Sequence, residues 1–145
     1  MLLAVDTSTA QMGLALYDGV QVISELELAW MLADAPFIGI TGTNGKSTVT
    51  TLVAAMANEA GQHALAGGNL GEPALDLLSQ PVPALYVLEL SSYQLETTHS
   101  LRTDAATVLN VTPDHLDRYR TIDDYAAAKA RIFDGCAAAV VNADD

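Results

Sequence analysis

The sequence predicts an α/β protein with three layers, in which a mostly parallel sheet has helices on both faces and an N-terminal β-hairpin precedes it. Two observations lead to this fold class. Strands that are apolar along their whole length alternate with helical segments, which is typical of a parallel sheet buried on both faces. The first two strands are joined by a short polar segment without a helix, and this pattern indicates a hairpin.

Each predicted element has a local signal. Ser24 and Glu27 have the spacing of a capping box, Pro36 ends the helix that follows them, and Pro73 can open another helix at its first position. We predict turns at residues 7–9 and 18–19, strands at 2–6, 13–17, 37–41, 84–90, 105–111 and 138–142, and helices at 25–33, 47–60, 73–79 and 123–133.

The composition argues against several classes of protein. Eighteen acidic residues outnumber six Lys and Arg and give a net charge of −12, which disfavours nucleic acid and anionic lipid as partners. No apolar run approaches the roughly 18 residues of a membrane-spanning helix, and no basic segment followed by an apolar stretch marks a secretory leader. The single cysteine, Cys136, suits a reducing compartment, so we expect a cytoplasmic protein.

A glycine-rich loop between a strand and a helix is the most informative motif. Residues 39–48 read Gly-Ile-Thr-Gly-Thr-Asn-Gly-Lys-Ser-Thr. Glycines let a backbone wrap closely around phosphate, and the start of a helix offers unpaired N–H groups. In a loop of this P-loop type, Lys46 would reach the β- and γ-phosphates and the Ser47 hydroxyl would bind Mg²⁺. Ile40 stands where the common pattern has glycine, so the loop is a variant. The alternative is an ordinary strand-to-helix turn, which the strand–loop–helix context disfavours.

Polar residues also follow two other predicted strands. Glu89 lies near the carboxyl end of one of them, where it could hold Mg²⁺ or could equally be a solvated strand terminus. Asp114, His115 and Asp117 follow another, and a histidine between carboxylates at a strand exit is a candidate metal or substrate ligand. Taken alone, Lys129 is an exposed helical lysine. Two further histidines have no such setting and are expected at the surface: His63 and His99.

Five segments occur in the order in which the Mur ligases have them: 41–48, 67–69, 88–92, 110–119 and 129–133. Over about residues 20–145 the chain therefore resembles the central ATP-binding domain of that family, a group of enzymes that build peptidoglycan precursors. The resemblance implies an ATP-dependent reaction. In it, the γ-phosphate activates a substrate carboxylate as an acyl phosphate, and the amine of an amino acid then attacks to form an amide.

The resemblance also assigns roles. It implies ATP and Mg²⁺ as cofactors and a UDP-sugar peptide precursor as a second ligand. Nucleotide contacts fall on Gly42, Thr43, Asn44, Gly45, Lys46, Ser47 and Thr48. Metal contacts fall on Ser47, Glu89 and His115, and substrate contacts on Asn69 and Ser91. Catalytic roles fall on Lys46, His115 and Lys129, the last as the family lysine that becomes carbamylated.

The first 19 residues do not resemble this family. They are similar to the first hairpin of the actin-like ATPase fold, which suggests a chimeric chain with a hairpin at 1–19 and a shortened ligase domain at 20–145. We expect the mostly apolar hairpin to pair along an edge of the larger sheet, and exposed sheet edges to favour self-association. Because the resemblance covers only part of a ligase, enzyme activity stays open and we expect no ligation. The alternative is an engineered scaffold without catalytic function.

Overall fold

The computed structural model describes residues 2–6, 13–17 and 22–143, with the side chains of residues 24–143. Two short strands, β1 (Leu2–Asp6) and β2 (Gly13–Tyr17), form the predicted antiparallel hairpin, in which Ala4 lies opposite Ala15. The predicted turns at 7–9 and 18–19 lie outside the described residues.

The prediction that the hairpin pairs with the larger sheet is wrong. The hairpin belongs to a separate three-stranded sheet, in the order β1-β2-β3. The third strand, β3 (Val22–Ile23), pairs antiparallel with β2, with Val22 opposite Tyr17. This strand occupies the side of β2 that would otherwise be free for pairing, and so the hairpin gains its third strand locally.

The second sheet has five parallel strands, which confirms the predicted fold class. It contains β4 (Phe37–Thr41), β5 (Ala64–Gly68), β6 (Leu85–Glu89), β7 (Ala105–Val108) and β8 (Ala138–Val141), in the order β5-β6-β4-β7-β8. The chain leaves β4 to one side for β5 and β6, and then crosses to the other side for β7. In open parallel sheets, ligands bind at the carboxyl ends of strands where the order reverses in this way.

Five helices flank this sheet: α1 (Glu25–Leu32), α2 (Lys46–Glu59), α3 (Ala74–Leu77), α4 (Ser92–Glu96) and α5 (Ile122–Ala130), and a 3-10 turn (Arg131–Phe133) follows the last. The sequence did not predict β5 or α4, and α3 is shorter than expected. Only half of the predicted capping box is formed: the Ser24 side chain accepts a hydrogen bond from the N–H of Glu27 at 3.1 Å, whereas the Glu27 carboxylate accepts from the N–H groups of His99 and Ser100.

The core consists of two apolar layers, one on each face of the five-stranded sheet. Alternate residues of β6 contribute to opposite layers: Tyr86 and Leu88 pack in the layer with α1 and α3, whereas Val87 packs in the layer with α2. The same period of two applies in β4, where Phe37 and Ile40 belong to different layers. This alternation fixes the register of the central strands, and with it the positions of their carboxyl ends.

The outer strand β8 is exposed along its whole length, and Val141 is 68% exposed. Self-association through this edge stays a prediction. Within the described part of the chain, no helix has both the length and the apolar character required to cross a membrane.

Candidate functional site

The glycine-rich loop (residues 42–48) follows β4 at the carboxyl edge of the sheet and includes the first three residues of α2. Two of its residues have the left-handed backbone that favours glycine: φ is 151° at Gly42 and 83° at Gly45. Gly42 also packs tightly, because a Cβ there would lie 3.0 Å from the Cβ of Leu109. The loop therefore depends on glycine for both its turn and its close approach to the end of β7.

Helix α2 begins at Lys46 with an open amino terminus. Its N-cap, Gly45, has no side chain to accept from the first turn, and the first N–H groups of a helix have no intrahelical partner. The Lys46 ammonium donates to two carbonyl oxygens of the loop, those of Gly42 and Thr43, each at 3.0 Å. Unpaired N–H groups, a helix dipole and an ammonium group meet here, and this combination favours an anion.

A carboxylate–hydroxyl pair lies beside the start of α2. Glu89 ends β6, is only 3% exposed, and accepts a hydrogen bond from the Ser47 hydroxyl at 2.7 Å. Its other carboxylate oxygen accepts from the side-chain amide of Asn69, also at 2.7 Å. Of the two interpretations of Glu89, the solvated strand terminus is wrong, because the carboxylate is buried and directed at Ser47 and Asn69.

Two glycines allow Asn69 to reach this carboxylate. At Gly68 φ is 97°, and a Cβ there would lie 2.5 Å from the carbonyl oxygen of Glu89. At Gly67 a Cβ would lie 2.4 Å from the carbonyl oxygen of Glu72. With side chains excluded from both positions, the N–H of Asn69 donates to the Glu89 carbonyl at 2.8 Å.

The segment after β7 is fastened to the tip of the glycine-rich loop. The side chain of Asn110 accepts from the N–H of Asn44 at 2.9 Å and donates to its carbonyl at 3.1 Å. The backbone carbonyl of Asn110 accepts from the N–H of Thr43 at 2.9 Å. The Thr43 hydroxyl accepts from the N–H of Thr112 at 3.0 Å. No individual role was predicted for Asn110 or Thr112, although both lie in the 110–119 segment.

Lys129 is buried, contrary to its interpretation as an exposed helical lysine. It is 1% exposed, its ammonium donates to the Gly42 carbonyl at 2.9 Å, and it lies 4.4 Å from the centre of the Tyr125 ring. The pKa of Lys129 is lowered to about 8, chiefly by burial and also by the charge of Lys46, while the charge of Asp114 partly opposes the shift. The two lysines of the chain thus bond to one carbonyl oxygen.

His115 lies in a group of aromatic rings next to Lys129. Its ring centre is 5.1 Å from that of Tyr93 and 5.9 Å from that of Tyr125. Its backbone N–H donates to the Asp114 carboxylate at 2.8 Å, and φ is 52° at this residue. Asp117 is exposed in the same segment.

Ser47 and Glu89 are in contact, whereas the contacts of His115 are with the aromatic group and Asp114. In residues 24–143 no three His, Cys, Asp or Glu side chains gather in a group that could hold a metal ion. Ser47 and Glu89 nevertheless supply two hard oxygen donors beside the open start of α2. Such a pair fits Mg²⁺, which takes few protein ligands when phosphate oxygens supply others.

Ser91 has a structural role. Its hydroxyl accepts from the N–H of Gln94 at 3.2 Å, and the Gln94 side chain accepts from the N–H of Ser91 at 3.0 Å. This reciprocal pair is the capping box of α4. The predicted surface positions of the other two histidines are confirmed, since both are exposed: His63 and His99.

The five-stranded parallel sheet carries a glycine-rich loop and a buried carboxylate at its carboxyl edge. A comparison with models of known protein families agrees with this arrangement. The family model for the Mur ligase middle domain matches residues 40–145. The chain belongs to this family.

The chain is also similar to curated ligases that share one name. The chain is 60% identical over 127 residues to the UDP-N-acetylmuramoylalanine–D-glutamate ligase of Nitrosococcus oceani, covering 88% of this chain and 28% of the relative. It is 53% identical to the ligase of the same name from Alcanivorax borkumensis, covering 97% of this chain and 32% of the relative. The chain thus spans about a third or less of the length of the curated relatives it matches.

Solved structures share the fold. The MurF ligase of Thermotoga maritima, in complex with ADP, superposes with a TM-score of 0.67 at 21% identity, covering 82% of this chain and 30% of that chain. MurF from Acinetobacter baumannii superposes with a TM-score of 0.62 at 22% identity, covering 78% and 27%.

Proposed function

We propose that this chain is the nucleotide-binding part of a ligase that joins D-glutamate to UDP-N-acetylmuramoylalanine. The observation that carries the proposal is the junction of β4 and α2, where Lys46, the open helix start and the Ser47–Glu89 pair meet. The identity of 60% to a relative that bears this ligase's name supports the choice of reaction.

In the proposed reaction, the chain's own residues hold the triphosphate. The N–H groups at the start of α2 and the ammonium of Lys46 would bind the β- and γ-phosphates, for which Lys46 would leave its two carbonyl partners. Ser47 and Glu89 would hold Mg²⁺, which neutralises charge on the phosphates. The γ-phosphoryl group moves from ATP to the substrate carboxylate, which leaves ADP. The amine then attacks the acyl carbon, releasing phosphate and forming the amide.

Three further residues are proposed to contact the UDP-sugar substrate or a second metal ion. Asn69 lies against Glu89 at the same edge of the sheet, where its amide could reach a UDP-sugar substrate. His115 is exposed beside Asp114 and could ligate a second Mg²⁺. Ser91 is a weaker candidate for substrate contact, because its hydroxyl already caps α4.

Lys129 is proposed to become carbamylated. This reaction needs a neutral amine as the nucleophile toward CO₂, and a pKa of about 8 leaves roughly a tenth of the amine neutral at pH 7. The product would be a carboxylate-like group where Lys129 now donates to Gly42. Such an anion next to the nucleotide could contribute to binding the second metal ion.

Calorimetric titration of the 145-residue chain with ATP or ADP in the presence of MgCl₂ tests the proposal. We expect affinity in the micromolar range or weaker, and Lys46→Ala should weaken it at least tenfold, because a charge-assisted bond to phosphate is lost. The matched control is Arg102→Ala, which removes a positive charge that lies before β7, at the opposite edge of the sheet. Equal affinity for the parent and Lys46→Ala would refute the nucleotide site.

The metal proposal has its own test. Chelation of Mg²⁺ should weaken ADP binding to the parent, and Glu89→Gln should remove most of that dependence on Mg²⁺, because a neutral amide is a poorer ligand for a hard cation. If the parent binds ADP equally well with and without MgCl₂, Ser47 and Glu89 do not hold the ion.

A further inference from the structure

The tip of the glycine-rich loop, Thr43 and Asn44, is joined to the segment after β7 by more than the usual contacts of a loop. Six hydrogen bonds connect these two residues to Asn110 and Thr112. The two segments are 66 residues apart in the sequence. Because several bonds share the same four residues, they form a small network rather than independent contacts.

The Asn110 side chain pairs with Asn44 as a peptide group of a neighbouring strand would. Its carbonyl oxygen accepts from the Asn44 N–H at 2.9 Å while its NH₂ donates to the Asn44 carbonyl at 3.1 Å. A side-chain amide carries its donor and its acceptor on two separate atoms, as a peptide group does. Asn110 thereby continues the strand pairing of β4 and β7 beyond the end of β7.

The tip needs such a partner because it lies between two conformationally free residues. Gly42 and Gly45 stand on either side of it, and both have positive φ angles, 151° and 83°. Glycine loses more conformational freedom on ordering than any other residue, so an unfastened tip would sample many conformations. The hydrogen bonds to Asn110 hold the tip in one conformation.

These bonds divide the loop into two parts. The N–H groups of Thr43 and Asn44 point to Asn110 and are occupied. The N–H groups at the start of α2, beginning with Lys46, have no capping side chain and stay available to phosphate. The tip, which is bonded to Asn110, thus holds the start of α2 in place.

We infer that Asn110 is a positioning residue that fixes the glycine-rich loop for phosphate and couples nucleotide binding to the segment carrying Asp114 and His115. The inference rests on the proposed function. Phosphate bound at the start of α2 rigidifies the loop, and the bonds through Asn44 and Thr43 transmit that ordering to residues 111–119.

The test compares Asn110→Ala with Asn58→Ala. Asn58 is a matched control, because its side chain also joins two backbone segments, donating to the carbonyls of Ala54 and Ala64 and accepting from the N–H of Ala64. It does so at the far end of α2, away from the loop. Each variant loses a side-chain amide that joins two backbone segments. The decrease in thermal unfolding temperature therefore measures how much each loss destabilises the fold.

Titration with ADP and MgCl₂, well below the unfolding temperatures, should show at least tenfold weaker binding for Asn110→Ala and less than a twofold change for Asn58→Ala. Amide hydrogen exchange of residues 111–119 should slow when ADP binds the parent and should not change with saturating ADP in Asn110→Ala. If Asn110→Ala does not fold, Asn110→Ser is measured instead with the same expectations.

The outcomes separate this inference from the proposed function. A parent that binds ADP and loses binding in Lys46→Ala, but keeps it within twofold in Asn110→Ala, overturns the positioning role and leaves the proposed function intact. Slower exchange of residues 111–119 in Asn110→Ala with ADP overturns the coupling. A parent that does not bind ADP refutes the proposed function itself.

Discussion

Glu27 and Lys129 are both almost completely buried charged side chains, but their hydrogen-bonding environments are very different. Glu27 on α1 is 3% exposed. It accepts from the N–H of His99 at 2.7 Å and from the N–H of Ser100 at 3.0 and 3.2 Å. Lys129 is 1% exposed and has one carbonyl and one aromatic ring as partners. Neither belongs to the ion pairs found among residues 24–143.

The difference separates a structural charge from a reactive one. Backbone N–H groups surround the Glu27 carboxylate and replace much of the water that it loses, so this charge fastens α1 to the segment after α4. Lys129 receives less compensation and also faces the charge of Lys46. A buried ammonium with few acceptors exists more readily as a neutral amine, and a neutral amine can react.

The largest effect should follow removal of the well-satisfied charge. Glu27→Ala leaves the N–H groups of His99 and Ser100 without their acceptor, and we expect the free energy of unfolding to fall by about 2–3 kcal/mol. Chemical denaturation measures this. Glu59→Ala is the control, since Glu59 is an exposed glutamate of α2 and its removal should change stability by less than about 0.5 kcal/mol. A similar small change in Glu27→Ala would contradict the structural role.

Removal of the poorly satisfied charge should act in the opposite direction. At pH 7 we expect Lys129→Met to raise the free energy of unfolding by roughly 1–2 kcal/mol, because an apolar side chain of similar length avoids the burial of a cation. The Gly42 carbonyl keeps Lys46 as a donor. A variant less stable than the parent at pH 7 would show that the Lys129 charge is well compensated.

The same comparison has a defined pH dependence. The pKa of Lys129 is about 8 in the folded protein and 10.5 in its ordinary state, so between these values the unfolded chain binds more protons than the folded one. Stability of the parent relative to Lys129→Met should therefore rise as the pH increases from 8 toward 10. Denaturation of both proteins at pH 7 and pH 9.5 measures the change, and an advantage of the variant that stays constant would contradict the lowered pKa.

The smallest effect is expected at Glu25, a half-buried neighbour of Glu27 that accepts from the N–H of Leu75. Burial raises the pKa of Glu25, the bond from Leu75 lowers it, and the charge of Asp76 raises it. The contribution of Glu25 to the free energy of unfolding is fully present below its ordinary pKa of 4.5. This contribution is lost as the pH rises through the raised pKa of the folded protein. We expect Glu25→Gln to be within about 1 kcal/mol of the parent at pH 7, and relatively less stable at pH 4. Parallel stability curves from pH 4 to pH 7 would contradict the raised pKa.

The sequence predicted the central strands and α2 closely, because continuous apolar runs and a glycine-rich loop are local signals. It missed β5, whose residues Ala64–Gly68 are alanine, leucine and glycine with no β-branched side chain. It also missed α4, which has only five residues and whose one clear signal is the Ser91–Gln94 capping box. Short elements such as these are stabilised by their neighbours rather than by their own sequence.

The residues of the candidate site likewise include some that local sequence signals could predict and some that they could not. The sequence alone singled out Lys46 and Ser47 as candidates because they open a helix after a glycine-rich turn, and it left Glu89 open between a metal ligand and a solvated strand terminus. It could not reveal the partnership of Asn110 with Asn44, because an asparagine after a strand has many ordinary uses in turns. Their contact depends on two distant strands lying side by side.

By itself the sequence determined that this protein is a parallel α/β domain with a glycine-rich loop between a strand and a helix, because periodicity, caps and glycine positions act over a few residues. The tertiary structure alone decided that Lys129 is buried, since its partner Gly42 is 87 residues away. It likewise decided that the hairpin joins its own three-stranded sheet instead of the larger one. Burial and strand pairing depend on which distant surfaces meet, and a helix or strand pattern specifies only the surface that each element offers.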